Sequence, residues 1–280
     1  MNYLCVDFGG TKTLVCVISS DGNITSEVRF ETPKEYTDFL DTLAATITDL
    51  PEKFETGVLS VPGLIDIPTR TVIALGNRPW ANFKIQDDLL EKTGVKFEIL
   101  NDSRLAGLAE AAYIKDRFHK VLYITISTGI GVALAVDGKL VPELNDTEFG
   151  KIPVQHDGGM IPWEEIASGR AIVTKYNKRA SDIPAEDEVT WREVANKIVL
   201  GVGPACAAFQ PDAIVFGGGV GEQSDKFSKY IAEELKKVLH PVVRQPKALI
   251  QSHYKDRSVI YGCYELAKSR AEKQNAEHSS

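Results

Sequence analysis

The sequence predicts an α/β protein made of two similar halves, because strands alternate with amphipathic helices and one strand pattern occurs twice. The first copy spans residues 3–30 and the second spans residues 121–141. Each copy reads strand, polar glycine turn, strand, Asp-Gly, strand, and Asp-Gly favours a tight hairpin because it accepts positive φ angles. This repetition predicts two homologous halves that face one another. Chance similarity between two hairpins is the alternative.

The remaining elements follow from hydrophobic periodicity and from turn residues. Helices are expected at 34–50, 85–93, 103–114, 161–178, 191–209, 225–239 and 261–273. Strands outside the two copies are expected at 56–61, 71–75, 96–100, 213–216 and 247–251. Residues 143–162 contain scattered glycines and prolines and are expected to form a loop. We predict one domain from 1–116 plus the last helix at 259–274, a second from 117–258, and a disordered polar tail at 275–280.

Charge and composition exclude several classes of protein. The 280 residues carry a net charge of −7 without a cluster of Lys and Arg, which argues against binding to nucleic acid or to an anionic membrane. The four cysteines form no CxxC pair, so we expect buried thiols of a reducing compartment. No signal peptide is evident, and no apolar run approaches the roughly 18 residues of a membrane span. These features predict a soluble, cytoplasmic protein.

The glycine turn that follows the first strand carries the parts of a phosphate site. Gly9 and Gly10 let backbone N–H groups approach an anion, Thr11 adds a hydroxyl donor and Lys12 adds a positive charge. Asp7 ends the strand, where its carboxylate is suited to hold a divalent cation. The alternative is an ordinary hairpin with solvated polar side chains, since short glycine motifs are often coincidental.

Taken together, segments along the chain resemble the motifs of the ROK (repressor, open reading frame, kinase) family of sugar kinases, within the actin-like, ribonuclease H-like ATPase fold. These segments are Asp7–Lys12, Asn77–Trp80, Asn101–Asp102 with the small-residue helix that ends at Glu110, Ser127–Gly131, Glu148–Gly150, Glu164–Gly169 and Phe216–Gly219. They occur in the family's order and cover nearly the whole chain. The resemblance implies two actin-like α/β domains with a cleft between them.

The resemblance also implies an ATP-dependent sugar kinase that transfers a γ-phosphoryl group to a hexose hydroxyl. It assigns ATP and Mg²⁺ to Asp7, Gly9, Gly10, Thr11, Lys12, Thr128, Gly129, Gly217, Gly218 and Gly219, with Asp7 on the metal side. It assigns the sugar to Asn77, Asn101, Asp102, Glu148, Lys151 and Glu164, with Asp102 as the catalytic base. Each assignment has a simpler alternative. The alternative for Asp102 is a helix N-cap. The alternative for each glutamate is a solvated acid, and the alternative for the three glycines is a flexible turn.

One position departs from the family pattern. Many members have a His there that contacts the sugar and ligates a structural zinc together with nearby cysteines, whereas this chain has Lys151. The cysteines are absent as well, and residues 156–160 occupy the region. Because a zinc site with fewer ligands is not closed, we expect no zinc. Lys151 can donate a hydrogen bond to a sugar hydroxyl or phosphate but cannot accept one. The departure leaves the sugar, and activity itself, open.

Three functional alternatives follow from the resemblance. Some zinc-free relatives use inorganic polyphosphate as the phosphoryl donor. A non-catalytic sugar sensor would bind sugar without turnover, and a bare actin-like ATPase would lack the acids assigned to the sugar. Family repressors carry an N-terminal DNA-binding segment that is not present in this sequence, so we do not expect a DNA-binding repressor. Glucose is the default substrate, with fructose, mannose and N-acetyl sugars as rivals. Family members are often dimers, so a homodimer is possible, but the sequence does not give the oligomeric state.

Overall fold

The computed structural model describes residues 1–54, 56–76 and 78–278. The chain forms two compact units, of which the first comprises Met1–Ala109 and Arg257–Ser280 and the second comprises Glu110–Asp256. The corresponding limits expected from the sequence are residues 116 and 258. Within the described residues, no helix is long and apolar enough to cross a membrane.

Most strands begin and end close to the positions expected from the sequence, and the exceptions are four short strands at residues 63–66, 81–83, 153–156 and 159–162 that were not predicted. The strands are β1 (Asn2–Phe8), β2 (Lys12–Ser19), β3 (Ile24–Glu31), β4 (Thr56–Val61), β5 (Gly63–Asp66), β6 (Thr71–Leu75), β7 (Ala81–Phe83), β8 (Lys96–Asn101), β9 (Lys120–Ile126), β10 (Ile130–Val136), β11 (Lys139–Leu140), β12 (Pro153–His156), β13 (Gly159–Pro162), β14 (Ala213–Gly217) and β15 (Ala248–Gln251).

The helices fall between these strands, as an α/β fold requires. They are α1 (Tyr36–Thr48), α2 (Ile85–Thr93), α3 (Asp102–Ile114), α4 (Trp163–Ala167), α5 (Gly169–Tyr176), α6 (Glu188–Phe209), α7 (Gly218–Gly221), α8 (Ser224–Val238) and α9 (Ser258–His278).

The two main sheets have the same topology, which confirms the predicted repeat. The first unit has the strand order β3-β2-β1-β4-β8, and the second has the order β11-β10-β9-β14-β15. In the first sheet, β1, β2 and β3 are antiparallel neighbours, and β4 and β8 run parallel to β1. In the second sheet, β9, β10 and β11 are antiparallel neighbours, and β14 and β15 run parallel to β9. The carboxyl ends of β1, β4 and β8 therefore lie side by side at one edge of the first sheet.

Each unit has its own hydrophobic core, assembled from the strands and from one face of each flanking helix. In the first unit, α1 buries Phe39, Leu40, Leu43 and Ile47, whose spacing puts them on one helical face. The Phe39 ring stacks on Phe8 of β1 with 4.5 Å between centroids. In the second unit, Trp163 and Trp191 are fully buried, and α6 supplies much of the surrounding apolar surface.

Residues 143–162 are not the irregular loop that the sequence suggested. They contain two short 3₁₀ helices and the hairpin β12–β13. The hairpin turn consists of Asp157 (φ 47°) and Gly158 (φ 82°), a further Asp-Gly turn with positive φ at both positions. The prolines that suggested a loop, Pro153 and Pro162, pair with each other at the open end of this two-stranded ribbon, where a missing N–H costs little.

The helix expected at 161–178 is two helices, because Ser168 is extended (ψ 168°) and interrupts it. The Ser168 hydroxyl accepts a hydrogen bond from Ala171 N–H and so begins α5 as an N-cap. Two other segments also differ from expectation. Residues after Pro62 continue as β5, and α9 extends to His278 where disorder was expected from residue 275, since its last turns carry good helix formers. Residues 279 and 280 lie outside the described residues.

Two glycines of α6 provide a matched test of packing in the second unit. A Cβ added at Gly201 would lie 2.1 Å from the Trp163 ring, whereas at Gly203 its nearest contact would be Val238 at 3.7 Å. Both Gly→Ala changes gain helix propensity of about 0.5–1 kcal/mol. We expect Gly203→Ala to preserve or raise Tm. We expect Gly201→Ala to lower Tm by several degrees, because overpacking costs roughly 1–3 kcal/mol. Equal Tm values for the two variants would contradict this packing.

Candidate functional site

Asp7 lies near the carboxyl end of β1 and is held by the neighbouring strand. Ser60 is the register partner of Asp7 on β4. Its hydroxyl donates to Asp7 Oδ1 at 2.8 Å and accepts from Phe8 N–H at 3.0 Å. The hydroxyl therefore joins the strand backbone to the carboxylate and fixes the carboxylate's direction, while Oδ2 accepts no hydrogen bond from the described residues.

The environment of Asp7 disfavours its negative charge. Burial raises the pKa of the Asp7 carboxyl to about 6, and the hydrogen bond from Ser60 opposes this rise. The charge of Asp102 raises the pKa of Asp7 further, whereas Arg29 lowers it. Asp7 and Asp102 thus interact electrostatically within the first unit. A cation bound between them would stabilise both carboxylates, since opposite charge favours the ionised form.

The glycine turn between β1 and β2 is anchored by Thr32, which follows β3. Thr32 Oγ1 donates to Gly9 O at 2.8 Å, and Thr32 N–H donates to Thr11 O at 2.9 Å. Gly9 N–H donates to Lys12 O at 3.1 Å, and a Cβ at Gly9 would lie 2.6 Å from that same oxygen. Only glycine fits there, so the turn is a built structure and not a loose hairpin connection.

Asn101 and Asp102 lie where β8 meets α3. Asn101 Oδ1 accepts from Ser103 N–H at 3.0 Å and from Ser103 Oγ at 2.6 Å, and its Nδ2 donates to Gly63 O at 3.1 Å. Asn101 therefore shares with Asp102 the contact to the first turn of α3 that the alternative interpretation gave to Asp102 alone. Asp102 Oδ1 accepts from Ser103 N–H at 2.7 Å, so the carboxylate is oriented at the positive end of a helix.

The segment expected to start at Asn77 is only partly described. Asn77 itself lies outside the described residues. Trp80 is 8% exposed, its Nε1 donates to Lys34 O at 2.9 Å, and its ring packs among Phe8, Tyr36 and Phe39. Trp80 is thus a core residue of the first unit.

In the second unit, Glu164 contacts both Lys151 and the second glycine turn. The Glu164 side chain is 8% exposed, and its Oε1 accepts from the ammonium group of Lys151. Glu164 Oε2 accepts from Ile130 N–H at 3.3 Å, and a Cβ added to Gly129 would lie 2.8 Å from this oxygen. The structure therefore brings Gly129, which was assigned to the nucleotide, together with Lys151 and Glu164, which were both assigned to the sugar.

The second glycine turn is fixed from its flanks and open at its tip. Ser127 N–H donates to Gly129 O at 2.9 Å, and Ser127 O accepts from Gly169 N–H at 2.7 Å. The Thr128 side chain between them is exposed, as is Glu148, which precedes a 3₁₀ turn whose Lys151 N–H returns to Glu148 O at 2.9 Å.

The glycines after β14 form the start of a short helix and not a flexible turn. Gly217 ends β14, and Gly218 (φ 75°) begins α7. A Cβ on Gly218 would meet Ile126 O at 2.7 Å, whereas a Cβ on Gly219 would have no neighbour within 4 Å. Gly217 and Gly218 are therefore required by packing, and Gly219 faces open space.

The sequence analysis missed residues that act from a distance along the chain. Ser60 holds Asp7 across 53 positions, Thr32 holds Gly9 across 23, and Arg78 contacts Gly10 across 68. Arg78 lay inside a segment that had been singled out, but no local pattern indicates a partner so far away.

Metal-binding side chains do not cluster within the described residues, where no group of three or more His, Cys, Asp or Glu could hold an ion. The four cysteines are free and buried, as predicted. The absence of zinc stays a prediction. Asp7 fits a magnesium ion that takes most of its ligands from phosphate and water, because such sites use only one or two protein carboxylates.

The fold and the two anchored glycine turns define a class of actin-like, two-domain α/β proteins, and comparison with known proteins identifies the family. The sequence profile of the ROK family matches residues 3–270. A fructokinase of Zymomonas mobilis is 30% identical over 78% of this chain and 79% of its own length. A glucokinase of Streptomyces coelicolor is 24% identical over 94% of this chain and 96% of its own length.

A solved structure shares the fold over nearly the whole chain. The ROK family glucokinase from Streptomyces griseus, in complex with glucose and AMPPNP, superposes with a TM-score of 0.77 at 22% identity, covering 95% of this chain and 99% of that one. The chain belongs to the ROK family, and its matched relatives support a sugar kinase of that family.

The raised pKa of Asp7 predicts how stability depends on pH. Because the folded pKa of about 6 exceeds the usual carboxyl value of 3.8, the folded state retains this proton more strongly. Stability from Asp7 is therefore full below the unfolded pKa and is lost as pH rises through 6. We expect Asp7→Asn, measured by urea unfolding without divalent cations, to be more stable than wild type at pH 7.5 by about 3 kcal/mol.

The difference between wild type and Asp7→Asn should vanish near pH 4. Asp116→Asn, which alters an exposed carboxylate, serves as the control and should run parallel to wild type. A pH-independent gap between Asp7→Asn and wild type would contradict the assignment.

Proposed function

We propose that this chain is an ATP-dependent hexose kinase that transfers the γ-phosphoryl group of Mg·ATP to a sugar hydroxyl. Glucose is the first candidate acceptor, with fructose, mannose and N-acetyl sugars as the others. Family membership supports phosphoryl transfer to a sugar. Two points remain to be tested: which sugar accepts the phosphoryl group and which compound donates it.

The observation that carries the proposal is a pair of carboxylates beside an anchored glycine turn in the first unit. Asp7 and Asp102 come from the carboxyl ends of β1 and β8, and each influences the other's charge. Phosphoryl transfer depends mainly on positioning and charge neutralisation, so it needs a phosphate cradle, a carboxylate for the metal and a carboxylate for the proton. This arrangement contains all three.

The proposed roles follow from the chemistry of each group. Asp102 accepts the proton of the attacking hydroxyl, and the hydrogen bond from Ser103 N–H holds its Oδ1 in place. Backbone N–H groups of the glycine turns hold phosphate oxygens, and Lys12 and Thr128 add side-chain donors. Asn101, Glu148 and Glu164 bind sugar hydroxyls, since carboxylates accept from vicinal diols.

Asp7 would hold the magnesium ion, which would supply positive charge to neutralise the phosphate oxygens. Its Oδ1 is used by Ser60, so Oδ2 is the oxygen available to the metal or to a water bound to it. Burial raises the pKa of Asp7 to about 6, and a bound cation would lower that pKa again because it favours the ionised form. Asp7 thereby positions the donor and takes no proton.

The Lys151–Glu164 ion pair is the proposed substitute for the His of other members. Lys151 neutralises a nearly buried carboxylate and keeps it directed, while its own side chain is 55% exposed and has donors to spare. A sugar hydroxyl can therefore accept from Lys151 and donate to Glu164. Recognition by a charged pair favours acceptors with an oxygen substituent over apolar analogues.

The decisive experiment tests each sugar with each phosphoryl donor. Turnover is measured by coupled detection of ADP and by direct detection of sugar phosphate. The donors are ATP, GTP and inorganic polyphosphate, and the sugars include glucose, fructose, mannose, N-acetylglucosamine and N-acetylmannosamine. Turnover with ATP and one hexose supports the proposal. Turnover only with polyphosphate supports the alternative donor, and calorimetric sugar binding without any turnover supports a sensor.

Asp102→Asn tests the base. We expect kcat to fall by about 10²–10⁴, because general-base assistance is lost, while the amide keeps the shape and the contact with Ser103 N–H. Affinities for sugar and for MgADP, measured by calorimetry, should change little. A kcat close to that of wild type would remove Asp102 from the proposed role.

Lys151→Met tests the ion pair, with Lys175→Met as a matched control. Lys175 pairs with Glu193, which is 39% exposed, whereas Glu164 is 8% exposed. Breaking the exposed pair should cost little, but leaving Glu164 without its cation should misdirect a sugar ligand. We expect the KM for sugar to rise about tenfold or more in Lys151→Met, with a smaller effect on kcat. Equal effects of the two changes would contradict a sugar-side role.

A further inference from the structure

The guanidinium of Arg78 donates four hydrogen bonds to main-chain carbonyls around the first glycine turn. Its Nε and Nη2 both donate to Gly10 O, at 2.9 and 2.6 Å. Nη2 also donates to Thr32 O at 2.8 Å, and Nη1 donates to Pro33 O at 2.7 Å. One planar guanidinium therefore connects the turn after β1 to the chain that leaves β3. No carboxylate of the described residues forms a salt bridge with Arg78.

Arg78 is itself held on the core of the first unit. Two residues later, Trp80 is buried and donates from Nε1 to Lys34 O, and the Arg78 guanidinium lies 5.5 Å from the Trp80 ring centroid. The ring contact is of the cation–π kind and keeps the guanidinium plane in place. The contact with Gly10 thus originates from a rigid support.

The bond to Gly10 O determines where a neighbouring donor points. Because a peptide unit is planar and trans, its C=O and its N–H point in opposite directions. Fixing Gly10 O on Arg78 turns Thr11 N–H away from Arg78. In the preceding peptide, Gly9 O accepts from Thr32 Oγ1. Gly10 N–H, on the opposite side of that peptide, therefore points away from Thr32 Oγ1.

Two successive N–H groups are therefore directed away from the anchored side of the turn. Neither Gly10 N–H nor Thr11 N–H donates to a residue that the structure describes. Successive backbone N–H groups of this kind form a concave anion site. The carbonyls of the same peptides are not available to repel an anion, because each one is occupied by a donor.

We propose that Arg78 is a positioning residue for nucleotide phosphate, which acts by holding Gly10 O so that Thr11 N–H faces the ligand. The inference rests on the proposed nucleotide-binding role of this turn. Arg78 contacts no phosphate in this mechanism, so the geometry of its planar fork matters more than its charge. Lys keeps the charge but cannot reproduce the fork, which makes Arg78→Lys the discriminating variant.

The test compares Arg78→Lys and Arg78→Met with wild type and with Arg70→Lys. Arg70 is an exposed arginine of the same unit and controls for the Arg→Lys change itself. MgADP and MgAMPPNP are the probes, titrated by calorimetry. Amide hydrogen exchange of the ligand-free proteins is followed at Gly9 N–H and Thr32 N–H, the reporters of the turn, and at Gly94 N–H, which bonds to Leu90 O in α2.

We expect Arg78→Lys and Arg78→Met to weaken both nucleotides by about tenfold or more, since both lose the planar fork that holds Gly10 O and Arg78→Met loses the charged donor as well. Exchange at Gly9 and Thr32 should become at least about tenfold faster, while exchange at Gly94 stays unchanged. The affinity of both Arg78 variants for sugar should match that of wild type. The nucleotide affinity and the exchange rates of Arg70→Lys should also match those of wild type.

Other outcomes overturn the inference in distinct ways. Nucleotide affinity of Arg78→Lys within about twofold of wild type would mean that charge alone suffices. Unchanged exchange at Gly9 and Thr32 would mean that Arg78 does not hold the turn. If wild type binds neither nucleotide, the proposed function fails first and the positioning role fails with it. If Arg78→Met does not fold, Arg78→Lys still provides the test. A Tm near that of wild type shows that Arg78→Lys is folded.

Discussion

The first unit depends on the direction of a few peptide planes in the turn after β1. A glycine-rich turn can adopt many conformations, and only some of them present N–H groups on one side. Here three successive carbonyls, those of Gly9, Gly10 and Thr11, are occupied by donors from Thr32 and Arg78. Their N–H partners therefore have a defined direction before any ligand arrives, which lowers the entropic cost of binding an anion.

The same edge of the sheet also concentrates negative charge. Parallel pairing of β1, β4 and β8 brings Asp7, Ser60 and Asn101 to adjacent strand ends, and Asp102 follows directly. Burial and the charge of Asp102 act together to raise the pKa of Asp7. A site that holds anion-binding N–H groups next to carboxylates is suited to a ligand that carries phosphate and a divalent cation together, as a metal–nucleotide complex does.

The second unit repeats the sheet but anchors its turn by different means. There, a glutamate supplies the contact that side-chain donors supply in the first unit, since Glu164 accepts from Ile130 N–H and lies against Gly129. The interruption of the chain at Ser168 matters for this arrangement, because it lets Gly169 N–H reach Ser127 O. Pairing with Lys151 compensates the charge of Glu164 within the protein. The two halves therefore share a topology while using opposite chemistries beside their turns.

Much of the fold was predictable because its signals are local. Periodicity and turn residues located β4, β6 and α2 at the residues where they occur, and the repeated glycine turns predicted the repeated sheet. Prediction was poorest at 143–168, where Pro and Gly were interpreted as irregular chain although they form a short ribbon, and where one extended serine divides a helix. Both errors arose because tertiary packing outweighed a weak local preference.

For the site, the sequence by itself determined which chemical groups were present: Asp7, the glycine turns, Asp102 and the unusual Lys151. Only the tertiary structure decided what holds them. Ser60, Thr32 and Arg78 are distant in sequence from the groups they bind, and strand register, not local pattern, brings them into contact. The ion pair of Lys151 and Glu164 was likewise visible only after folding. A sequence specifies donors and acceptors, but hydrogen bonds between remote residues depend on distances and angles that the folded chain alone establishes.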